Sequence, residues 1–203
     1  MALISNGTTI FDAGTMSAGA GSMVFIKKLT ASSSASLSFV HGSGGVVLDG
    51  TYKEYIFTFN NVHPANNDIT FQFQCDTGTN TNYNQTITST AFRTTLGEAN
   101  NSPALSYLTG ADQANGTSYQ LLAGSVGNDA DQGLSGDLYV YNPSSSTFVK
   151  HFTANVNSSA HSDRINLNVT AGYINTTTAI TRFDFKFSSG NIDSGDICLY
   201  GIV

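Results

Sequence analysis

The side chains able to do acid–base, nucleophilic or metal chemistry are few in this sequence, and their spacing suits none of the usual arrangements. The 203 residues include twelve Asp, two Glu (Glu54 and Glu98), four His and two Cys. Glycoside hydrolysis needs two carboxylates placed across a cleft. Nearly all the Asp instead sit in turn-like surroundings, as at Asp12, Asp49, Asp76, Asp129, Asp131 and Asp193, where the side chain shapes turns. Glu54, Glu98 and Asp131 are the carboxylates left for a glycan-cleaving reading.

The motif search gives little more. There is no Gly-x-Ser-x-Gly elbow; Gly42-Ser43-Gly44 and Ala123-Gly124-Ser125-Val126-Gly127 have the wrong offsets. No phosphate loop and no His-Glu-x-x-His are present. His41, His63, His151 and His161 form no pair with metal-ligand spacing. His63 precedes Pro64, where the backbone is biased to extended geometry, and is expected to close a strand end. Asn128-Asp129-Ala130-Asp131-Gln132-Gly133 resembles half of a calcium loop, which makes Asp129 and Asp131 the metal-ligand candidates. The later positions of an EF-hand fail, since Leu134 takes the glycine position and no Glu closes the loop, so the other reading is a tight Asx turn. Cys75 and Cys198 are far apart; two free thiols are the expectation in a reducing compartment. No enzyme activity and no cofactor are expected.

The composition says what must position these residues. Only 11% of residues are charged, against roughly 25% in average soluble domains. Ser, Thr and Asn together make 67 of the 203 residues. The net charge of −6 argues against nucleic acid. No apolar run suits a spanning helix, so no membrane insertion is expected. Two Glu, five Lys and three Arg are too few for a helical bundle. Met1-Ala2-Leu3-Ile4 runs into Ser5-Asn6-Gly7 with no basic start and no apolar core, so synthesis in a cytoplasm without a signal peptide is expected.

Residues 1–22 are rich in Gly, Ala, Ser and Thr and read as an extended arm lying on a neighbouring subunit, with Ile10, Phe11 and Met16 as its assembly contacts. Residues 23–203 read as strand after strand. Phe71, Phe73 and Cys75 alternate with Gln72 and Gln74, an apolar-in, polar-out pattern. Tyr55, Phe57 and Phe59 alternate likewise, as do Phe183, Phe185 and Phe187. Ile165, Leu167, Val169 and Ala171 alternate with Asn and Thr. Further strands are expected over 23–29, 37–40, 83–95, 104–108, 118–126, 136–141, 147–156 and 196–202, a polar hairpin tip over 76–82, and one short helical turn within 109–115. With so little charge, Ser, Thr and Asn are expected at outward strand positions. The spacing predicts an all-β fold, an antiparallel β-sandwich of jelly-roll kind behind the arm.

Several runs resemble a family of marine bacteriophage structural proteins. They are the run from Phe25-Ile26-Lys27-Lys28-Leu29-Thr30 through Ala35-Ser36-Leu37-Ser38-Phe39, Asp49-Gly50-Thr51-Tyr52-Lys53-Glu54-Tyr55-Ile56-Phe57, Asn61-Val62-His63-Pro64-Ala65, Val126-Gly127-Asn128-Asp129, Leu134-Ser135-Gly136, Tyr141-Asn142-Pro143 and the ending Gly195-Asp196-Ile197-Cys198-Leu199-Tyr200-Gly201-Ile202. The resemblance implies a non-enzymatic virion component, either capsid decoration or part of the tail, with other virion proteins as partners. The shortage of Lys and Glu on strands points to edges covered by oligomerisation, a trimer being favoured. A different class of function is also consistent with the residues: recognition of a host surface polysaccharide by a tail attachment module. The loops 76–84 and 100–119 carry the relevant Tyr and Asn, with Tyr83, Tyr107 and Tyr119 as glycan contacts.

Overall fold

Alternation with period two builds most of this molecule. In the computed structural model residues 23–203 are described throughout. Of residues 1–22 the structure describes the backbone of three short strands, β1 (Leu3–Ser5), β2 (Thr8–Asp12) and β3 (Thr15–Met16), paired antiparallel in that order. The side chains of Ile10, Phe11 and Met16 lie outside the described residues, as does the expected clasp of the arm.

Twelve further strands follow: β4 (Met23–Thr30), β5 (Leu37–Val40), β6 (Glu54–Pro64), β7 (Ile69–Thr77), β8 (Ile87–Gly97), β9 (Ala104–Tyr107), β10 (Gln120–Val126), β11 (Leu134–Tyr141), β12 (Lys150–Ala160), β13 (Arg164–Ile174), β14 (Ile180–Phe187) and β15 (Ile192–Ile202). They form one all-antiparallel sheet, nearly closed into a barrel. No helix occurs among the described residues, and none there is long and apolar enough to cross a membrane. Where the sequence suggested a helical turn, the N–H of Ala111 donates to the Leu108 carbonyl (2.9 Å) and a simple turn results.

The strand order is β4-β15-β6-β11-β12-β10-β7-β14-β5, with β13, β8 and β9 branching from β12. Strand β12 is therefore the junction. Its length pairs with β11 on one side and β13 on the other, and at its end Ala160 pairs with Val126 of β10. That handover folds the sheet back, bringing β7 and β14 over β6. The ring of Phe57 lies 5.1 Å from Phe183 and 5.0 Å from Phe185; Phe59 lies 5.2 Å from Phe71, and Phe73 5.2 Å from Phe152. These rings meet across the core, tilted or edge-to-face, the geometry that aromatic quadrupoles favour.

The sequence runs noted above are part of this frame. Ile197 and Leu199 of β15 are buried between β4 and β6. Gly195 has φ +111, and a Cβ there would strike the backbone of Asn61 and Val62 at the irregularity between β15 and β6, so only glycine fits. The Tyr55 hydroxyl donates to the Asp49 carbonyl (2.9 Å) and accepts from the Asp49 N–H (3.1 Å), pinning the turn before β6; burial pushes this phenol up to about 12.

Two expectations need correction. The polar segment after β7 is no hairpin tip, because β7 pairs with β10 and β14 whereas the next strand, β8, pairs with β13 and β9. The segment instead crosses the outside of β7 and buries polar side chains there. The carboxylate of Asp76 accepts from the N–H of Thr77 and of Tyr83 and from Gln85 Nε2, while Gln74 Nε2 donates to the carbonyls of Gln85 and Ser118, each at 3.0 Å. Gln74 is thus buried rather than facing water. The second is the face of β13, which turns Asn166, Asn168 and Thr170 inward.

Phe185 touches the rings of Phe39, Phe57, Phe59, Phe71 and Phe73. Phe185→Ala is expected to lower unfolding free energy by about 3–5 kcal/mol. Phe148→Ala, at an exposed position, is expected to change it by less than about 0.5 kcal/mol. Urea denaturation followed by tyrosine fluorescence measures both.

Candidate functional site

The row Phe152, Ala154, Val156 of β12 is buried in the core. Antiparallel pairing places residues directly opposite one another on the same face. Phe152 stands opposite Gly172, Ala154 opposite Thr170 and Val156 opposite Asn168, so these β13 residues face inward as well. The turn over 161–163 fixes that register: the Asp163 N–H donates to the Ala160 carbonyl (3.1 Å) and Asp163 adopts φ 53. The apolar set Ile165, Leu167 and Val169 is consequently turned outward. Asn166, Asn168 and Thr170 are buried while Ile165 and Leu167 are exposed, the reverse of the expected placement of Asn and Thr.

The pattern spreads across the branch. Ile165 faces Leu96, Val169 faces Phe92, and Phe92 faces Tyr107. Leu105 is two residues along from Tyr107 on the same face. The outer surface of β13, β8 and β9 therefore presents a continuous apolar patch in which Leu105 is 73% exposed, Tyr107 61% and Ile165 47%. All four residues of β9 are exposed, and among the described residues the strand pairs only with β8, leaving one edge open. Scattered exposed hydrophobics are ordinary, but a contiguous patch beside an unpaired edge marks an interaction surface.

The three tyrosines singled out as glycan contacts do not converge. Tyr107 belongs to the patch just described, its hydroxyl 3.4 Å from Thr90 Oγ1. Tyr83 and Tyr119 share another place, on the outside of β14 and β5. Tyr119 donates to the Asp184 carboxylate (2.9 Å), Ser38 donates to the other oxygen of Asp184, and the Tyr83 hydroxyl donates to Ser38 (3.3 Å). Burial, with the Asp184 charge adding to it, raises the Tyr119 phenol well above its usual range. Lys186 sits 4.0 Å over the Tyr119 ring and occupies one of its faces.

The other reactive groups are held apart. Asp129 and Asp131 lie on a turn closed by the Gln132 N–H to the Asp129 carbonyl (2.8 Å). Asp131 and Asp193 face an open polar depression of about 630 Å³ that also holds His63. Among the described residues no three His, Cys, Asp or Glu gather as a metal would need. Glu54 opens β6, while Glu98 follows β8 and its N–H donates to the Asp163 carbonyl. His63, at the end of β6, lies 2.9 Å from the Gln132 carbonyl, His41 accepts from the Leu48 N–H (3.1 Å), and His161 pairs with Asp68 (3.1 Å).

Cys75 and Cys198 are both free and buried. Burial pushes the Cys75 thiol up, away from the reactive thiolate. Lys150, which no sequence pattern singled out, is buried at the start of β12, and burial lowers its pKa. Its ammonium donates to the carbonyls of Ser145 (2.7 Å), Phe148 (2.9 Å) and Thr176 (3.0 Å), tying two loops to the strand end.

Comparison with known proteins yields no family model that matches this chain, no matching curated protein and no matching solved structure.

Asp137 of β11 has a buried carboxylate oxygen with no hydrogen-bond partner, and burial raises its pKa. A carboxyl raised in the folded state stabilises the fold below its unfolded pKa and loses that contribution as pH rises through the folded value. Asp137→Asn is therefore expected to unfold at higher temperature than the parent at pH 7. The gain should shrink as the pH falls into the range where carboxylates protonate. Thermal midpoints measured from pH 3 to 8 check the sign.

Proposed function

We propose that this chain is a non-enzymatic structural component of a bacteriophage particle: an oligomeric β-domain at the virion surface, acting as capsid decoration or as part of the tail. The observation that carries the assembly half of this reading is the apolar outer patch of β8, β9 and β13 beside the open edge of β9. A chain with only 11% charged residues has few gatekeepers to keep such a surface apart from others. Fully burying a large apolar side chain contributes about 1.5–3 kcal/mol, and the partly exposed Phe92, Leu96, Leu105, Tyr107 and Ile165 each have part of that to gain when copies associate. A homotrimer is the proposed state, with each patch packed on a neighbour and other virion proteins around it. The bacteriophage half rests on the runs quoted from the sequence, and with it go synthesis in the host cytoplasm and residence in the virion.

On this reading the curled sheet is a jelly-roll-like sandwich. The wing β5-β14-β7-β10 forms one layer, the strands from β4 to β12 form the other, and the phenylalanine rings fill the space between. A second reading is attachment of the phage tail to a host surface polysaccharide. It is favoured by a polar, cation-lined cleft on the inner side of the same β13-β8-β9 branch.

Light scattering coupled to size exclusion tests the assembly. The parent is expected to elute as a fixed oligomer. Leu105→Lys combined with Ile165→Lys is expected to give a folded monomer, with an unchanged far-ultraviolet circular dichroism spectrum. A parent that is monomeric at every concentration, or an oligomer untouched by the double substitution, would remove the proposed interface.

A further inference from the structure

The inversion that turns apolar residues outward on β13 and β8 turns polar ones into a cleft beneath β9. Arg93 of β8, Arg164 and Asn166 of β13, Ser106 of β9, and Ser125 and His161 line a space of about 430 Å³. Arg93 and Ser125 also line an adjoining recess of about 280 Å³, whose wall includes Asn168.

Three features set this place apart. First, the chain has three Arg and a net charge of −6, yet two of those Arg line this one cleft and, among the described residues, no Asp or Glu does. Outside the lining, Asp68 is paired with His161 at 3.1 Å, and Glu98 shares a separate depression with Arg164 on its turn side. Second, among the described residues no carboxylate lies within ion-pair distance of Arg93, and its Nε is buried without a hydrogen-bond partner. Third, Asn168 is 1% exposed, and neither its Nδ2 nor its Oδ1 has a partner. Buried polar groups in native proteins are almost always paired, and leaving them unpaired costs free energy. Here a guanidinium Nε and both polar atoms of an amide stand unpaired along one recess.

We infer that this cleft binds an anionic saccharide. Its carboxylate or sulfate group sits on Arg93, and its hydroxyls reach Asn168 and the serine hydroxyls of the lining. The chemistry fits the residues. A guanidinium presents a fixed fork of N–H donors to a planar or tetrahedral anion. An amide offers both a donor and an acceptor to a sugar hydroxyl, and Ser106 and Ser125 offer more. Arg164, exposed on the turn side, adds positive charge at the mouth and favours entry of anions into a negatively charged protein. The inference rests on the attachment reading given above, and is independent of the oligomer interface on the opposite face of the same strands.

Isothermal titration of the full chain with oligogalacturonate, with a sulfated galactan oligosaccharide and with neutral dextran tests it. Binding is expected to one or both anionic probes, and which of them binds identifies the anionic group. Arg93→Gln and, separately, Arg164→Gln at the exposed mouth are each expected to weaken that binding, the former by about tenfold or more. Arg182→Gln, outside the cleft, should leave it unchanged, and the thermal midpoint of each variant shows whether it folds. Binding of dextran alone overturns the anionic assignment and leaves the attachment reading standing. Inorganic sulfate binding as tightly as the oligosaccharides overturns the saccharide. No saccharide binding, together with no adsorption of the protein to bacterial envelopes, overturns the inference and the attachment reading together.

Discussion

The register of β12 against β13 is the constraint on which the rest of the molecule depends. Strand β12 carries Phe152, Ala154 and Val156 in one row, and Phe152 packs edge-on to Phe73 across the core. Because side chains alternate with a period of two, that row decides the faces of every strand paired beside it. Toward β11 the decision is harmless, since Leu138 and Val140 also turn inward. Toward β13 it sends Thr170, Asn168 and Asn166 inward and the aliphatic residues out. A slip of one residue would reverse this, but the three-residue turn between the strands holds the register in place.

Both candidate surfaces follow from that one choice. Where β10 runs alongside β13, part of the inward polar set finds carbonyl partners, as Asn166 does weakly with Gly124 (3.4 Å). Beside the last residues of β10, other members of that set, with Arg93 of β8, line the cleft and its adjoining recess. The opposite face is left with hydrophobic residues in contact with water. The branch is thus the part of the fold where local pattern and environment disagree, and such disagreements tend to mark places serving something other than stability.

The strand positions were legible in the sequence, because alternation of Phe with polar residues survives in almost any β context. Leu37–Val40 begins and ends where the pattern says, and Phe183, Phe185 and Phe187 fall within β14. What periodicity cannot report is which of two faces is covered. In Ile165 to Ala171 the apolar set alternates as cleanly as in Phe71 to Cys75, yet the first row meets water and the second the core. Nor could it report the buried polar groups. Lys150 and Gln74 find their partners among backbone carbonyls of loops packed against them, and any residue type can supply a carbonyl. Arg93 and Asn168 lie far apart in sequence on two strands that looked solvent-facing on their polar sides, so nothing joined them before the pairing of β8 with β13 did. Of the residues singled out as contacts, Tyr107 falls on the apolar patch, whereas Tyr83 and Tyr119 are engaged with Ser38 and Asp184.

The pairing of β4 with β15 has a mechanical meaning. Met23 stands opposite Ile202, so the two strands begin and end at the same corner of the sheet. Tension applied between the segments that leave this corner would open the ladder one pair after another, like a zip, instead of shearing all its hydrogen bonds together. The β4–β15 ladder, which bears Lys27 and Lys28, is therefore compliant to tension applied at this corner. A load delivered along β12 and β13 meets their long register in shear and is shared among many bonds at once.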